Sequence, residues 1–307
     1  MQVIKDTIDF CLTRPSVITL GKFDGVHRGH QALIKEVLAT SRSSQNGDEP
    51  LSSVVFSICI SPVTLLTRPE RRELLAGWGI DTLIECPFIP AFITMEAEDF
   101  VREFLVGRLH AKAIIVGKDY RFGYGRRGNV EMLEKMGREL DFSLRAISKV
   151  KDGLEPISSS RIRSALAEGD METVNCLLGY SFFINGSIIH GRRIGRTIGF
   201  PTTNLIPGMG KLLPPNGVYA VRSVIGDKAY YGITNLGTKP TVDGRFIGVE
   251  TFLYNCSEDL YGEEQKVELL HFIRPERKFP SIEALKEQIL TDREDGRLYF
   301  SGVGIEI

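Results

Sequence analysis

VITLGKFDGVHRGH, residues 17–30, is the stretch that decides how the first half of this chain folds. A short apolar run leads into a glycine-containing loop, and apolar residues between positions 33 and 38 then repeat at the spacing of one helix face. A glycine loop between a strand and a helix lets backbone N–H groups approach a phosphate, and the helix N-terminus adds partial positive charge. The loop matches neither the P-loop nor the G-x-G-x-x-G pattern, so it predicts a phosphate site of a different kind.

The rest of the first half alternates strands with helices. Four further apolar runs are predicted strands: residues 52–60, 82–84, 113–116 and 143–147. Three segments between them are predicted helices: residues 71–78, 97–105 and 128–139. This alternation is typical of a parallel sheet with helices on both faces, so we expect an α/β N-terminal domain with a doubly wound parallel sheet.

The pattern changes near residue 180. Two short predicted helices, residues 161–167 and 171–178, come just before the change. The strand patterns that follow are residues 181–189, 217–225, 229–234, 247–254 and 265–272. Strands separated only by turn residues predict a small antiparallel β-barrel. A helix is predicted after the barrel, over residues 282–290, with Ser281 as its N-cap. We therefore expect two domains, residues 1–180 and 181–307.

The composition excludes several classes of protein. The chain has 38 Lys and Arg residues against 39 Asp and Glu residues, and this balance argues against a globally basic nucleic-acid binder. The first ten residues include charges and no apolar signal-peptide core, and the long uncharged stretches are too polar to span a membrane. The five cysteines are scattered and form no C-x-x-C pair. We expect a cytoplasmic protein with reduced thiols and with no membrane or nucleic-acid partner.

The loop after the first strand contains two histidines three residues apart. His27 and His30 share one face if the turn between them is helical. The segment resembles the phosphate-binding motif of the HxGH nucleotidyltransferases, and specifically the adenylyltransferase module of bacterial bifunctional riboflavin kinase/FAD synthetases. The resemblance implies that the two histidines are catalytic and hold the phosphates of ATP. It also implies ATP contacts from the loop residues Gly21, Phe23, Asp24, Gly25 and Gly29.

Two later segments match the same module in the same order. ISSSRIR, residues 157–163, places hydroxyls before a predicted helix and two arginines in its first turn, where a cation is unfavourable unless an anion is bound. The resemblance implies ATP contacts from Ser159, Ser160, Arg161 and Arg163. VGKDYRFG, residues 116–123, resembles the loop that lies against adenine and ribose, which implies an ATP contact from Asp119.

One segment departs from the family. After the second strand the family usually has a Phe-x-Pro-His-Pro-like turn near its flavin and nucleotide pocket, whereas this chain reads ICISP at residues 58–62. Of that turn, the final proline remains, and Pro62 is the flavin contact that the resemblance implies here. The next segment, residues 63–73, is also shorter than the family pattern. The first module therefore has two alternatives, synthesis of FAD or a weakened or silent adenylyltransferase.

A second glycine- and arginine-rich segment precedes the barrel strands. HGRRIGRTIGFPTTN, residues 190–204, combines a local basic patch, which suits a polyphosphate, with a strand-like end. Thr202 and Asn204 share a face on a strand, where a hydroxyl and an amide oxygen can bind Mg²⁺. The segment resembles the G-R-x-x-G-F/Y-P-T-A-N signature of riboflavin kinases, with Thr203 replacing the alanine. The resemblance implies that Mg²⁺ and ATP contact Thr202 and Asn204, and that ATP also contacts Gly191, Arg196 and Gly199.

The remaining kinase motifs follow in family order. They are PNGVY at residues 215–219, NLGTKPT at 235–241 and VETF at 249–252. The last motif resembles the strand that bears the catalytic glutamate of the family. The resemblance makes Glu250 a general base, which accepts the proton of the ribityl 5′-hydroxyl as that oxygen attacks the γ-phosphate of ATP. It also implies flavin contacts from Asn235 and Arg274.

Together the motifs predict a bifunctional enzyme that depends on ATP and Mg²⁺. The barrel phosphorylates riboflavin to FMN, and the N-terminal module adenylylates FMN to FAD with release of pyrophosphate. Its partners are then the small molecules riboflavin, FMN and ATP. The alternatives are a riboflavin kinase whose adenylyltransferase module is weakened or inactive, and a non-catalytic flavin- or nucleotide-binding regulatory protein. The presence of Glu250, Thr202 and Asn204 argues against the non-catalytic alternative.

Overall fold

The structure is a computed structural model that describes residues 1–43, 50–190, 199–241 and 244–307. It divides into two compact units, Met1–Ser159 and Ser160–Ile307. The two short helices before residue 180 thus pack with the second unit. The division of function at residue 180 stays a prediction, because packing does not assign these helices to either function.

The N-terminal unit is built on a six-stranded parallel sheet in the order β1-β4-β3-β2-β5-β6. Its strands are β1 Gln2–Lys5, β2 Ser16–Gly21, β3 Ser52–Cys59, β4 Thr82–Pro87, β5 Ala111–Gly117 and β6 Ser143–Ile147. Its helices are α1 Arg28–Arg42, α2 Arg68–Gly77, α3 Pro90–Ile93, α4 Ala97–Asp99, which continues into the π-helical Phe100–Arg108, and α5 Val130–Leu140. A small hairpin of β7 Lys151–Asp152 and β8 Glu155–Pro156 follows β6. The predicted parallel sheet with helices is confirmed, with β1 as an edge strand that the sequence patterns did not predict.

The parallel sheet brings three of the predicted motifs to one edge. Strands β2 and β4 are runs of buried residues, as expected for parallel strands that are covered on both faces. Because the strands run parallel, the segments that follow Gly21, Cys59 and Gly117 all leave the sheet at its carboxyl edge. The glycine loop, the ICISP segment and the VGKDYRFG loop therefore begin on the same side of the unit.

The C-terminal unit is a nearly closed antiparallel barrel, which confirms the second half of the predicted fold. Its strands are β9 Phe183–Ser187, β10 Thr203–Leu205, β11 Gly217–Ile225, β12 Lys228–Thr241, β13 Gly244–Leu253 and β14 Glu264–Pro275, in the order β10-β13-β12-β11-β14-β9. An antiparallel bridge between Ile189 and Asn204 brings the two edges together. Helices α6 Ser159–Glu168 and α7 Met171–Leu178 precede the barrel.

The last helix, α8, runs from Ile282 to Gly302 and is longer than predicted. The predicted N-cap is present, since the Ser281 hydroxyl accepts the backbone N–H of Ala284 at 3.2 Å. The extension is stabilised by Phe300, which is fully buried against aromatic residues of the barrel. Within the described parts of the chain, no helix combines the length and the apolar character that crossing a membrane requires.

Candidate active sites

The glycine loop after β2 is shaped by backbone conformations that few residues adopt. Phe23, Gly25 and Val26 all have positive φ angles, of 48°, 77° and 37°. The Phe23 side chain is fully buried, so it anchors the loop to the core and leaves only its backbone for a ligand. Gly21, at the start of the loop, faces the Phe23 ring, which would lie 3.3 Å from a Cβ at that position. The predicted ATP contacts of these loop residues stay predictions.

The two predicted catalytic histidines lie against each other at the start of α1. His27 is the N-cap residue, and its ring stacks on that of His30 with centroids 3.8 Å apart. Burial lowers the pKa of His27 to about 4. Burial, and then the neighbouring His27, lower the pKa of His30 well below its usual range. Both imidazoles are therefore neutral near neutral pH in the free protein.

The donor and acceptor atoms of these rings fit an anionic ligand. Nδ1 of His27 and Nδ1 of His30 are buried, and neither has a hydrogen-bond partner among the described residues. Such orphaned polar atoms are costly unless a ligand or water satisfies them. Gly29 keeps the approach open, because a Cβ there would lie 3.1 Å from the His27 ring. The arrangement can bind phosphate oxygens through hydrogen bonds to the two rings.

Hydrogen bonds from other segments hold the glycine loop in place. The Asp24 carboxylate accepts the backbone N–H of Leu65 at 2.7 Å, and the Asp24 carbonyl accepts the Ser159 hydroxyl at 2.8 Å. The Ser57 hydroxyl donates to the carbonyl of Lys22 at 3.1 Å. Asp24 and Ser159, both predicted to contact ATP, thus have a positioning role in the free protein.

The other predicted residues of the first site come from several segments of the chain. Ser160, Arg161 and Arg163 lie in the first turns of α6. Asp119 forms an ion pair with Lys149 at 2.8 Å, and the hydrogen bond from that lysine lowers the pKa of the carboxyl. Pro62 is exposed in the segment after β3. Their ligand contacts stay predictions.

The second candidate site lies on the wall of the barrel. Gly191 and Arg196 fall outside the described residues, and Gly199, with φ of 91°, is the first described residue after them. Asn204 on β10 lies opposite Glu250 on β13, and Glu250 lies opposite Asn235 on β12. Directly opposite residues share a face of the sheet, so these three side chains form one row across three strands.

Thr202 joins this row from the residue before β10. The Asn204 amide lies 3.3 Å from the Thr202 carbonyl and 3.5 Å from its hydroxyl. The side-chain oxygens that these two residues could offer to a cation are one hydroxyl and one amide oxygen. No group of three or more His, Cys, Asp or Glu side chains suited to a metal occurs among the described residues. The set fits a Mg²⁺ ion that takes most of its ligands from phosphate oxygens and water.

Two cavities meet at Thr202 and Asn204, which line both of them. The larger has a volume of about 630 Å³ and also contains Asn235 and Glu250 on its wall. Aromatic side chains give it an apolar lining: Phe200, Phe246, Phe252 and Phe279. The smaller, of about 380 Å³, is lined by residues of the segment after β13, including Leu260 and Tyr261.

Two functional candidates in this unit were missed by the sequence analysis. Lys239 forms an ion pair with Glu250, with Nζ 2.8 Å from Oε2. Asp292 of α8 is buried and accepts two hydrogen bonds of 2.6 Å from the predicted flavin residue Arg274. Lys239 lies inside the NLGTKPT motif, which was the available signal, whereas nothing in the polar sequence of α8 distinguishes Asp292 from its neighbours.

Both halves of the chain are similar to known proteins. A riboflavin kinase family model matches residues 178–300, and an FAD synthetase family model matches residues 11–161. The bifunctional riboflavin kinase/FMN adenylyltransferase of Escherichia coli K12 is 37% identical over 290 residues, which is 92% of each chain. This chain belongs to that family. The Listeria monocytogenes member is 35% identical over 294 residues, which cover 93% of this chain and 92% of the relative.

A solved structure extends the comparison to the fold. A crystal structure described as a macrolide-efflux protein from Streptococcus pneumoniae matches with a TM-score of 0.83 and 31% identity. The match covers 96% of this chain and 98% of that chain. The family resemblance seen in the motifs is therefore confirmed, while the roles of the individual site residues stay predictions.

Proposed function

We propose that this chain phosphorylates riboflavin to FMN with ATP and then adenylylates FMN to FAD with release of pyrophosphate. The kinase reaction is assigned to residues 181–307 and the adenylyl transfer to residues 1–180. The observation that carries the kinase assignment is the position of Glu250 between Asn204 and Asn235 on the wall of an apolar cavity. The adenylyl-transfer assignment rests on the buried pair His27 and His30, whose Nδ1 atoms have no hydrogen-bond partner among the described residues.

In the kinase reaction, riboflavin occupies the larger cavity. Its flat, largely apolar ring system suits the aromatic lining, and its ribityl chain then extends toward Glu250. The Glu250 carboxylate accepts the proton of the terminal hydroxyl as that oxygen bonds to the γ-phosphorus of ATP. The bond from that phosphorus to the bridging oxygen breaks, and ADP leaves.

ATP is assigned to the smaller cavity, because the two cavities share one wall. Phosphates at Thr202 and Asn204 would be within reach of a hydroxyl that enters from the larger cavity. Thr202 Oγ1 and Asn204 Oδ1 would hold Mg²⁺, which neutralises charge on the phosphate oxygens when bound. The two residues thereby orient the γ-phosphate toward the larger cavity.

In the adenylyl transfer, His27 and His30 bind the triphosphate of a second ATP molecule. The terminal phosphate of FMN bonds to the α-phosphorus of ATP, and pyrophosphate leaves. The histidines act by position and by hydrogen bonding, and they become more positive when an anion approaches. The second candidate function, a kinase with a weakened adenylyltransferase, is favoured by one observation: Pro62 and its neighbours Ile60 and Val63 are exposed at the altered turn.

One experiment separates the candidates. Purified protein is incubated with ATP and Mg²⁺, first with riboflavin and then with FMN, and the flavins are resolved by chromatography. FAD from both starting compounds is expected. FMN without FAD would support the weakened module, and no turnover from either compound would support a binding protein.

Two variants assign the reactions to their sites. Glu250→Ala is expected to abolish formation of FMN from riboflavin and to leave conversion of FMN to FAD intact. His30→Ala is expected to have the opposite effect. Loss of both reactions in either variant would contradict the assignment of the two reactions to independent sites.

A further inference from the structure

We propose that Lys239 is a positioning residue of the kinase site, which holds the Glu250 carboxylate in its working orientation. Two glycines that face each other across β12 and β13 make this contact possible. The inference rests on the proposed kinase function, and no motif of the sequence analysis assigned a role to Lys239. It follows from the strand register, from the space above one glycine and from the charges in the cavity.

The register places Lys239 and Glu250 on the same face of the sheet. Asn235 lies opposite Glu250, and Lys239 is four residues farther along β12. Since side chains alternate between the two faces, residues four apart on a strand point to the same side. Between these positions Gly237 lies opposite Gly248. The cavity face therefore has a gap with no side chain on either strand, which we call the glycine trough (Gly237 and Gly248).

The Lys239 side chain lies over Gly248 in the trough, and the Glu276 carboxylate lies over Gly237. A Cβ on Gly248 would be 3.1 Å from Cγ and 3.3 Å from Cε of Lys239, which is closer than most real contacts of that kind. The ammonium group ends 2.8 Å from Oε2 of Glu250. Any residue larger than glycine at position 248 would have to push the lysine stem aside. The trough thus directs a long, flexible side chain onto one oxygen of the carboxylate.

The residues beside Glu250 show why the contact with Lys239 matters. Asn204 and Asn235, the cross-strand neighbours of Glu250, are neutral amides. Within the described part of the chain, Lys239 is the one charged group that contacts the Glu250 carboxylate. The two side chains are 31% and 33% exposed, so water screens their attraction less than it screens a fully exposed pair.

Because Lys239 binds Oε2, the other carboxylate oxygen, Oε1, can accept the proton of the substrate hydroxyl. A general base must lie within hydrogen-bond reach of the proton it takes. The Glu250 side chain can adopt several rotamers, and phosphoryl transfer slows whenever its carboxylate leaves that position. Lys239 therefore acts through Glu250.

The first test compares Lys239→Met and Lys239→Arg in the full-length protein. Lys239→Met is expected to lower kcat for FMN formation by about tenfold to a hundredfold, with little change in KM for riboflavin or ATP, because a misplacement of about 1 Å can cost about a hundredfold. Lys239→Arg is expected to restore most of the rate, since it keeps the charge and the reach. Conversion of FMN to FAD should stay at the wild-type rate, and the unchanged KM values for riboflavin and ATP show that the kinase unit is folded. The matched control is Lys112→Met, which removes a lysine from the exposed ion pair with Asp141.

A double-mutant cycle tests whether Lys239 acts through the carboxylate. In a Glu250→Gln background, whose residual rate is followed in long incubations at high enzyme concentration, Lys239→Met should have no further effect on kcat, since the carboxylate partner of the lysine is already gone. A further loss in that background, or a rise in KM for ATP in the single variant, would overturn the proposal in favour of a direct phosphate contact. A wild-type kcat for Lys239→Met would overturn it outright.

The glycine trough provides a second, independent variant. Gly248→Ala displaces the lysine stem, so it should lower kcat in the wild-type background and have no added effect beside Lys239→Met. An equal loss in both backgrounds would contradict the role of the trough. If the wild-type protein itself makes no FMN, the proposed function fails instead, and the two failures are thereby distinguished.

Discussion

The buried histidine pair makes the stability of the N-terminal unit depend on pH in mild acid. Burial lowers the pKa of His27 from 6.5 to about 4. Below about pH 6.5 the unfolded chain therefore binds a proton that the folded unit does not. Stability rises with pH wherever the unfolded state binds more protons, so the contribution of His27 is present above the unfolded pKa and is lost as the pH falls toward the folded value.

The size of this loss follows from the pKa shift. One pKa unit corresponds to about 1.4 kcal/mol, so His27 accounts for about 3 kcal/mol over the whole window. Between about pH 7 and about pH 5 the loss is about 2 kcal/mol, because the rest of the window, down to the folded pKa of about 4, lies below that range. His30, whose pKa is lowered by burial and by His27, adds to the loss in the same direction.

The single tryptophan of the chain makes the measurement specific to one unit. Trp78 directly follows α2, so its fluorescence during urea unfolding reports on the N-terminal unit. The wild type should lose at least about 2 kcal/mol of unfolding free energy between about pH 7 and about pH 5. His27→Asn, which keeps a favourable N-cap residue, should lose clearly less.

His110→Asn is the matched control for this prediction. His110 is exposed in the same unit, and asparagine tolerates its φ of 48°. This variant should keep the full wild-type pH dependence. The reasoning is refuted if His27→Asn loses as much unfolding free energy as the wild type over the same range.

Three further predictions concern other parts of the molecule. Binding of ATP to the N-terminal module should take up protons near neutral pH, because the triphosphate favours the imidazolium forms of His27 and His30. Calorimetry in buffers of different ionisation enthalpy should therefore give different binding heats. Equal heats in all buffers would contradict this prediction. Glu85→Gln should cost about 3–5 kcal/mol in the same fluorescence assay, because it removes the buried carboxylate that pairs with the guanidinium groups of Arg71 and Arg72. Asp292→Asn should raise KM for riboflavin several-fold by weakening the anchor of Arg274, and steady-state kinetics with an unchanged KM would count against it.

Much of the fold could be predicted because its signals are local. The change from helix–strand alternation to consecutive strands predicted both architectures, and the glycine loop with its following helix lies where the spacing indicated. Strand β1 and helix α8 are among the elements that were not predicted in full. Strand β1 has only four residues and depends on pairing with β4, which lies far away in sequence. Helix α8 continues past residue 290 because a few residues in a polar stretch, notably Phe300, pack against the barrel.

The candidate sites likewise combine features that local spacing predicts with contacts that depend on the folded chain. Spacing alone predicted that Thr202 and Asn204 share a face, and the structure brings them together with Glu250 and Asn235 through the strand register. The ion pair with Lys239 could not be predicted, because it depends on which residues of β12 and β13 lie opposite each other. A register shift of one residue would move the lysine to the other face of the sheet.

The kinds of element, their order and the chemical groups available to each site follow from the amino-acid sequence, because periodicity, glycine placement and motif spacing act over a few residues. The state of those groups depends on how the chain packs. The neutral charge of His27 and His30 depends on burial by residues from several segments, and the orientation of Glu250 depends on a lysine that reaches it across a glycine trough. Desolvation and cross-strand contact are properties of the packed chain, so no local pattern encodes them.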